Sequence, residues 1–112
     1  MCIRDRLAKV AAKYGGIHIS HMRDEAFGVL DSVRETIRIG EEGGLPTQVT
    51  HHKIVGPQNY GKSVETLKLI EAARLRGVDA TSDQYPYTAS SNAFTASMIP
   101  VSYTHLTLPT KA

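Results

Sequence analysis

The sequence predicts an α/β protein with about three consecutive parallel strands joined by crossover helices. Two observations predict this class, and a third limits its extent. Helical and extended patterns alternate as helix, strand, helix, strand, helix, strand, an order that makes a parallel sheet with right-handed crossovers. Two short apolar runs, 15–25 and 46–53, carry His21 and His51 thirty residues apart, about the length of one strand plus one crossover helix. Three strands in 112 residues do not make a complete domain of this kind. A closed barrel takes about 250 residues, and strands buried on both faces need neighbours on both sides. The chain therefore reads as a fragment.

The elements follow in order. Leu7–Lys13 is rich in strong helix formers, and Tyr14-Gly15-Gly16 supplies a stop. Ile17–His21 is a short β-branched strand. From Asp24 to Glu41 the positions Ala26, Val29, Leu30, Val33, Ile37 and Gly40 keep the helical period. Asp24 and Glu25 suit the positive end of that helix, and Gly43-Gly44 ends it. Pro46 introduces the strand Thr47–His51, and a loop with Gly56-Pro57 follows. The next helix spans Lys62–Arg76, with Val64, Leu67, Leu69, Ile70, Ala73 and Leu75 largely on one side and Gly77 as its stop. Val78–Ser82 is the third strand, leading into Asp83-Gln84-Tyr85-Pro86-Tyr87.

Composition narrows the function classes. A net charge of +2 with mixed signs, and no long Lys/Arg cluster, argue against a nucleic-acid partner. Nothing approaches the ~18 uninterrupted apolar residues of a membrane span, and the charged N-terminus has no signal-peptide pattern. A lone Cys2 cannot form an intrachain disulfide, so a cytoplasmic location is expected.

Histidine is the commonest metal ligand, and in α/β sheets and barrels the carboxyl ends of the strands carry the chemistry. Strand parity places His21 with Ile17 and Ile19 and turns His18 away; it places His51 with Val49 and opposes His52. Parity thus selects His21 and His51 as a pair. Their bland alternative is loop hydrogen bonding. Asp24-Glu25 is expected as helix-end charge, Arg23 as a rim salt bridge, and Tyr85-Pro86-Tyr87 as a rigid aromatic turn. The glycine pairs lack the signature of a phosphate loop.

Four stretches, Ile-Ser-His-Met-Arg-Asp-Glu (19–25), Thr-His-His-Lys (50–53), Glu-Thr-Leu-Lys-Leu-Ile-Glu-Ala-Ala-Arg (65–74) and Asp-Gln-Tyr-Pro-Tyr-Thr-Ala-Ser-Ser (83–91), closely resemble N-acyl-D-amino-acid deacylases, the D-aminoacylases of the metal-dependent amidohydrolase superfamily. The resemblance covers about 7–100. It implies a partial (β/α)8, TIM-type amidohydrolase barrel and a zinc (Zn2+) cofactor. It also implies His21 and His51 as metal ligands, and Lys53, Tyr85 and Ser91 as contacts to the carboxylate of a small N-acyl amino acid substrate. It gives His52 no metal role. The implied reaction is amide hydrolysis to a carboxylate and a free D-amino acid.

The resemblance also implies that a His-x-His pair, a metal-bridging cysteine and the catalytic aspartate lie outside this segment. The fragment alone is therefore expected to be inactive, with no general base of its own. Residues 1–6 and 101–112 resemble translated sequencing-adapter sequence. They are expected to be non-native read-through, leaving Cys2 and His105 without function. Two other readings stay open: a dihydroorotase- or hydantoinase-like amidohydrolase, and a non-catalytic α/β binding module.

Overall fold

The computed structural model describes residues 3–92. The two extreme N-terminal residues, the region 93–100 and the tail 101–112, on which part of the expected boundaries fall, lie outside the described residues. The elements run α1 (Ile3–Ala12), β1 (His18–Ser20), α2 (Val29–Gly43), β2 (Thr47–Val49), a 3-10 turn (Pro57–Asn59), α3 (Ser63–Leu75) and β3 (Ala80–Ser82). The strands form one parallel sheet in the order β1-β2-β3. In register, His18 pairs with Thr47 and Thr47 with Ala80; the next rung is Ile19, Gln48 and Thr81. This is the expected α/β architecture, with three strands joined by crossover helices.

Most boundaries shift by a few residues, for identifiable reasons. α1 begins at Ile3 rather than Leu7, because extending a formed helix adds one hydrogen bond per residue fixed. Arg4 also meets Glu35 of α2 at 3.3 Å. The helix closes as expected, with Gly15 at φ +69 and the Gly16 N–H donating to the Ala11 carbonyl at 3.0 Å. α2 starts at Val29, five residues later than the period suggests. Asp24 is the cause: its carboxylate accepts from the backbone N–H of Ala26 at 2.6 Å and of Gly28 at 3.0 Å, offering this backbone an alternative to helix.

The helices cover one face of the sheet. Val49, Ala80, Val29, Val33, Ile37, Ile70, Ala73 and Met22 form the main buried cluster between strands and helices. Ala8, Ile39 and Leu45 make a smaller one under α1. On the other face Ile17 and Ile19 remain 55% and 54% exposed, beside half-buried Gln48 and exposed Thr81. That face is the one a closed barrel turns inward. The expected apolar side of α3 is only partly used: Ile70 and Ala73 are buried, while Val64, Leu67 and Leu75 stay exposed.

Close approach of α2 to β2 depends on Gly40. A Cβ there would stand 2.6 Å from the Cβ of Thr47 and 2.7 Å from its methyl. Gly40→Ala is thus expected to destabilise the chain by about 1–3 kcal/mol through overpacking. This would occur although alanine is the better helix former by about 1 kcal/mol. A lowered urea midpoint with an unchanged m-value is the measurement.

Candidate metal centre and substrate cleft

The segments that follow the three strands, 21–25, 50–53 and 83–91, meet at the carboxyl end of the sheet. After β1 the chain places Met22 in the core at 1% exposure and turns His21 outward, its side chain 66% exposed. β2 stops at Val49 rather than running on to His51. His51 itself takes a left-handed backbone, φ +41, which costs a non-glycine residue roughly 1–2 kcal/mol. Asp83, just beyond β3, holds this turn. Its Oδ1 accepts from the His51 N–H at 2.5 Å, and its carbonyl accepts from the His52 N–H at 2.8 Å. Gln48 donates to its other carboxylate oxygen.

That turn corrects the parity argument. Ile19, on the side of His21, pairs in register with Gln48, so Val49 and any residue two further along a regular strand face the helices. An uninterrupted β2 would have carried His51 away from His21. The reversal at His51 brings the rings together instead, with centroids 4.8 Å apart and planes at 63°.

His52 and His18 are structural. His52 is buried and its Nε2 meets Thr66 Oγ1 at 2.8 Å, while Thr66 donates to the Ser63 carbonyl. The hydroxyl's proton is therefore committed, and His52 Nε2–H donates to it. His18 Nδ1 makes the same arrangement with Thr47 Oγ1 at 2.9 Å, and Thr47 donates to the Thr36 carbonyl. Burial holds the pKa of His52 below 6.5, with Glu25 opposing and Lys53 assisting. Burial and then Arg4 do the same for His18, against Glu35.

A histidine whose folded pKa is depressed binds its proton less readily in the native state than in the unfolded one. Stability from both sites is thus full above about pH 6.5 and lost as the pH falls below it. Urea unfolding at pH 7.5 and 5.5 should show the decline, and His18→Gln with His52→Gln should flatten it.

Three further side chains complete the cluster. Lys53 Nζ lies 2.6 Å from Glu25 Oε1 and 2.9 Å from His51 Nδ1. Glu25 Oε1 also lies 3.2 Å from His51 Nδ1 and 3.8 Å from His21 Nδ1. Tyr85 sits beside Lys53, with Nζ 5.9 Å from the ring centroid. All five residues singled out from the sequence, His21, His51, Lys53, Tyr85 and Ser91, line one cleft of about 570 Å³ with Glu25. Glu25 is the member that sequence reasoning left out, because it was read as helix-end charge. Its place four residues after a strand-end histidine, outside the helix that Asp24 delays, is the signal that could have found it.

The donor set suits a borderline cation such as zinc. His51 Nε2 and His21 Nδ1 lie 2.9 Å apart, and tetrahedral zinc with bonds of 2.0–2.1 Å holds two nitrogens about 3.3 Å apart. A small separation of the rings would admit the ion. Two imidazoles leave further coordination positions to be filled from elsewhere.

The parallel strands and crossover helices are those of a segment of an amidohydrolase-type (β/α)8 barrel. No family model matches the chain. It is 49% identical over 78 residues to a D-aminoacylase of Alcaligenes xylosoxydans xylosoxydans, covering 70% of this chain and 16% of that protein. Among solved structures, an N-acyl-D-glutamate deacylase from Bordetella bronchiseptica matches with TM-score 0.72 and 47% identity, over 74% of this chain and 18% of the other. That enzyme was crystallised with zinc and a phosphonate inhibitor mimicking the tetrahedral intermediate of the reaction. A D-aminoacylase structure that defines a subset of amidohydrolases matches with TM-score 0.71 and 39% identity, over 78% of this chain and 19% of the other. The chain thus matches one segment of the N-acyl-D-amino-acid deacylases of the amidohydrolase family, spanning about a sixth of the relatives' length. No helix among the described residues is long and apolar enough to cross a membrane.

Proposed function

We propose that this chain is the part of a zinc-dependent N-acyl-D-amino-acid deacylase that supplies two metal ligands, His21 and His51, and the substrate-carboxylate contacts Lys53, Tyr85 and Ser91. The observation that carries the reading is the convergence of these five side chains, from three separate segments, on one cleft. Zinc held by such imidazoles supplies Lewis acidity, polarising an amide carbonyl and acidifying water.

The chain's own residues do the rest of the work assigned to this segment. Lys53, an ammonium 24% exposed at the cleft, meets a carboxylate through charge-assisted hydrogen bonds. The hydroxyls of Tyr85 and Ser91 can donate to the same group. Together they fix the carboxylate a set distance from the histidine pair, so that binding energy becomes orientation of the scissile amide. A free carboxylate anchor favours a linear N-acyl amino acid over the cyclic amides of dihydroorotase- or hydantoinase-like relatives. The proton-transfer group belongs to the rest of the barrel, and the segment alone does not turn over substrate.

The test is to express the full-length protein containing this segment and assay release of free amino acid from N-acetyl-D-amino acids, before and after chelation. Zinc-restored release supports the reading. Hydrolysis confined to cyclic amides, or indifference to chelation and zinc, would overturn it.

A further inference from the structure

The His21 side chain is 66% exposed and meets His51 Nε2 at 2.9 Å, so the direction of its ring depends on the backbone that carries it. That backbone is fastened to α2 at each of the next three positions. Met22 is buried in the cluster that contains Val29 and Val33. Arg23 reaches Glu35 with two N–H groups, Nε donating to Oε2 at 3.0 Å and Nη2 to Oε1 at 2.8 Å. The Asp24 N–H donates to Ser32 Oγ at 3.0 Å. Packing of Met22 fixes the depth of the segment but is non-directional. The paired hydrogen bonds of Arg23 fix an angle as well.

We propose that Glu35 is a positioning residue of the metal centre: its two hydrogen bonds to Arg23 hold segment 21–25 against α2, so that the His21 ring faces His51. The metal part of this inference rests on the proposed function, whereas the placing of the ring does not. Exposed ion pairs usually contribute little to stability, and bidentate arginine–carboxylate pairs are the exception. Glu35 suits such a role. Its side chain is 21% exposed, and it stands within a 15-residue helix whose Val33 and Ile37 are buried, which makes the anchor firm. The hydrogen bond from Arg23, opposed by burial and helped by Arg4 and Arg38, holds its carboxyl below the ordinary carboxylate range, so the pair is charged at neutral pH. Arg4 Nη1 shares Oε1 at 3.3 Å, yet Arg4 belongs to α1 and lines no part of the cleft. Losing the Arg4 contact and losing the Arg23 contact should therefore differ. A ligating nitrogen has to be held within about 0.5 Å of its productive place, so a small swing of segment 21–25 matters at His21 while hardly disturbing the core.

Nuclear Overhauser contacts between the ring protons of His21 and His51 in the 112-residue chain read the placing of the ring without metal. The parent chain should show them, since the centroids stand 4.8 Å apart. Glu35→Ala and Arg23→Ala should each lose them, while the contact between buried His52 and Thr66 persists. The double variant should be no worse than either single one, because both remove the same interaction. Arg4→Ala should keep the contacts. Glu35→Gln retains the size of the side chain without its charge; it should weaken the contacts too, and it carries the test if an alanine variant does not fold. Contacts missing from the parent, or unchanged in the folded Glu35 and Arg23 variants, would overturn the proposal. An equal loss in Arg4→Ala would also overturn it, by making Glu35 a general anchor between helices.

In the full-length protein, zinc binding by Glu35→Ala should weaken by about 2- to 30-fold, the coupling reached by residues that touch no ligand themselves. Arg23→Lys keeps the charge but cannot form the fork, and it should weaken binding in the same direction. The reversed pair, Arg23→Glu with Glu35→Arg, should recover part of the loss. Parental zinc affinity in folded Glu35→Ala and Arg23→Ala would overturn the positioning role even if their urea midpoints fall, because a purely structural pair moves stability alone. A full-length parent that binds no zinc, with the ring contacts still lost in Glu35→Ala, would sink the metal reading while supporting the placing of His21 by Glu35.

Discussion

Replacing His21 or His51 with alanine in the full-length enzyme is expected to abolish zinc-dependent hydrolysis and weaken zinc binding by more than about 100-fold. That exceeds the 10–100-fold typical of an outer partner of a metal ligand. The fold should survive. The two side chains are 66% and 29% exposed, and neither belongs to the buried clusters. His52→Ala supplies the contrast. It removes a buried imidazole hydrogen-bonded to Thr66, so it should lower stability with little direct effect on metal affinity. Competition titration against a chromogenic chelator, with circular dichroism on the same samples, separates the two outcomes. Full zinc occupancy in the His21→Ala, His51→Ala double variant would refute the ligand assignment.

Lys53→Ala is expected to lower kcat/KM by about 10- to 150-fold, the equivalent of losing a hydrogen bond to a charged group worth roughly 1.5–3 kcal/mol. Most of the loss should appear in KM, because a carboxylate contact distant from the reacting amide binds ground state and transition state alike. A fall in kcat as well would show that the contact also sets alignment of the amide. The decisive control is an N-acyl amine without a carboxylate. Its slow hydrolysis should be nearly indifferent to Lys53→Ala, and an equal loss on both substrates would place Lys53 elsewhere in the mechanism. The substitution also strips the ammonium from the largely buried Glu25, so the stability of the variant should be measured alongside.

The legible and illegible parts of this molecule divide by the range of the interaction. The alternation of helices and strands, the parallel sheet and the glycine stops at Gly15, Gly44 and Gly77 depend on local period and φ, and the sequence carries those signals directly. The five candidate residues that come to line one cleft were named from the sequence as well, the two histidines from the thirty-residue spacing and all five from resemblance. What spacing could not show was how His51 reaches His21. Parity assumes a regular strand, and the left-handed turn at His51 depends on Asp83, thirty-two residues away. Glu25 was hidden for a similar reason. Two neighbouring carboxylates looked equivalent as helix-end charges, yet Asp24 bonds to its own turn while Glu25 meets residues supplied after the next strand.

The dependence of His51 on Asp83 also makes the site conditional on the third strand. His21 belongs to β1 and His51 to β2, but the backbone that aims His51 is clamped by a residue that arrives only with β3. Pairing β1 with β2 therefore brings the imidazoles near one another without yet presenting them as a pair. The third strand completes that presentation, so the paired arrangement needs both crossovers in place. Zinc affinity then serves as a gauge of strand docking. A variant such as Asp83→Ala, which leaves every candidate ligand in place, should report its loosened sheet as slower and weaker capture of the ion.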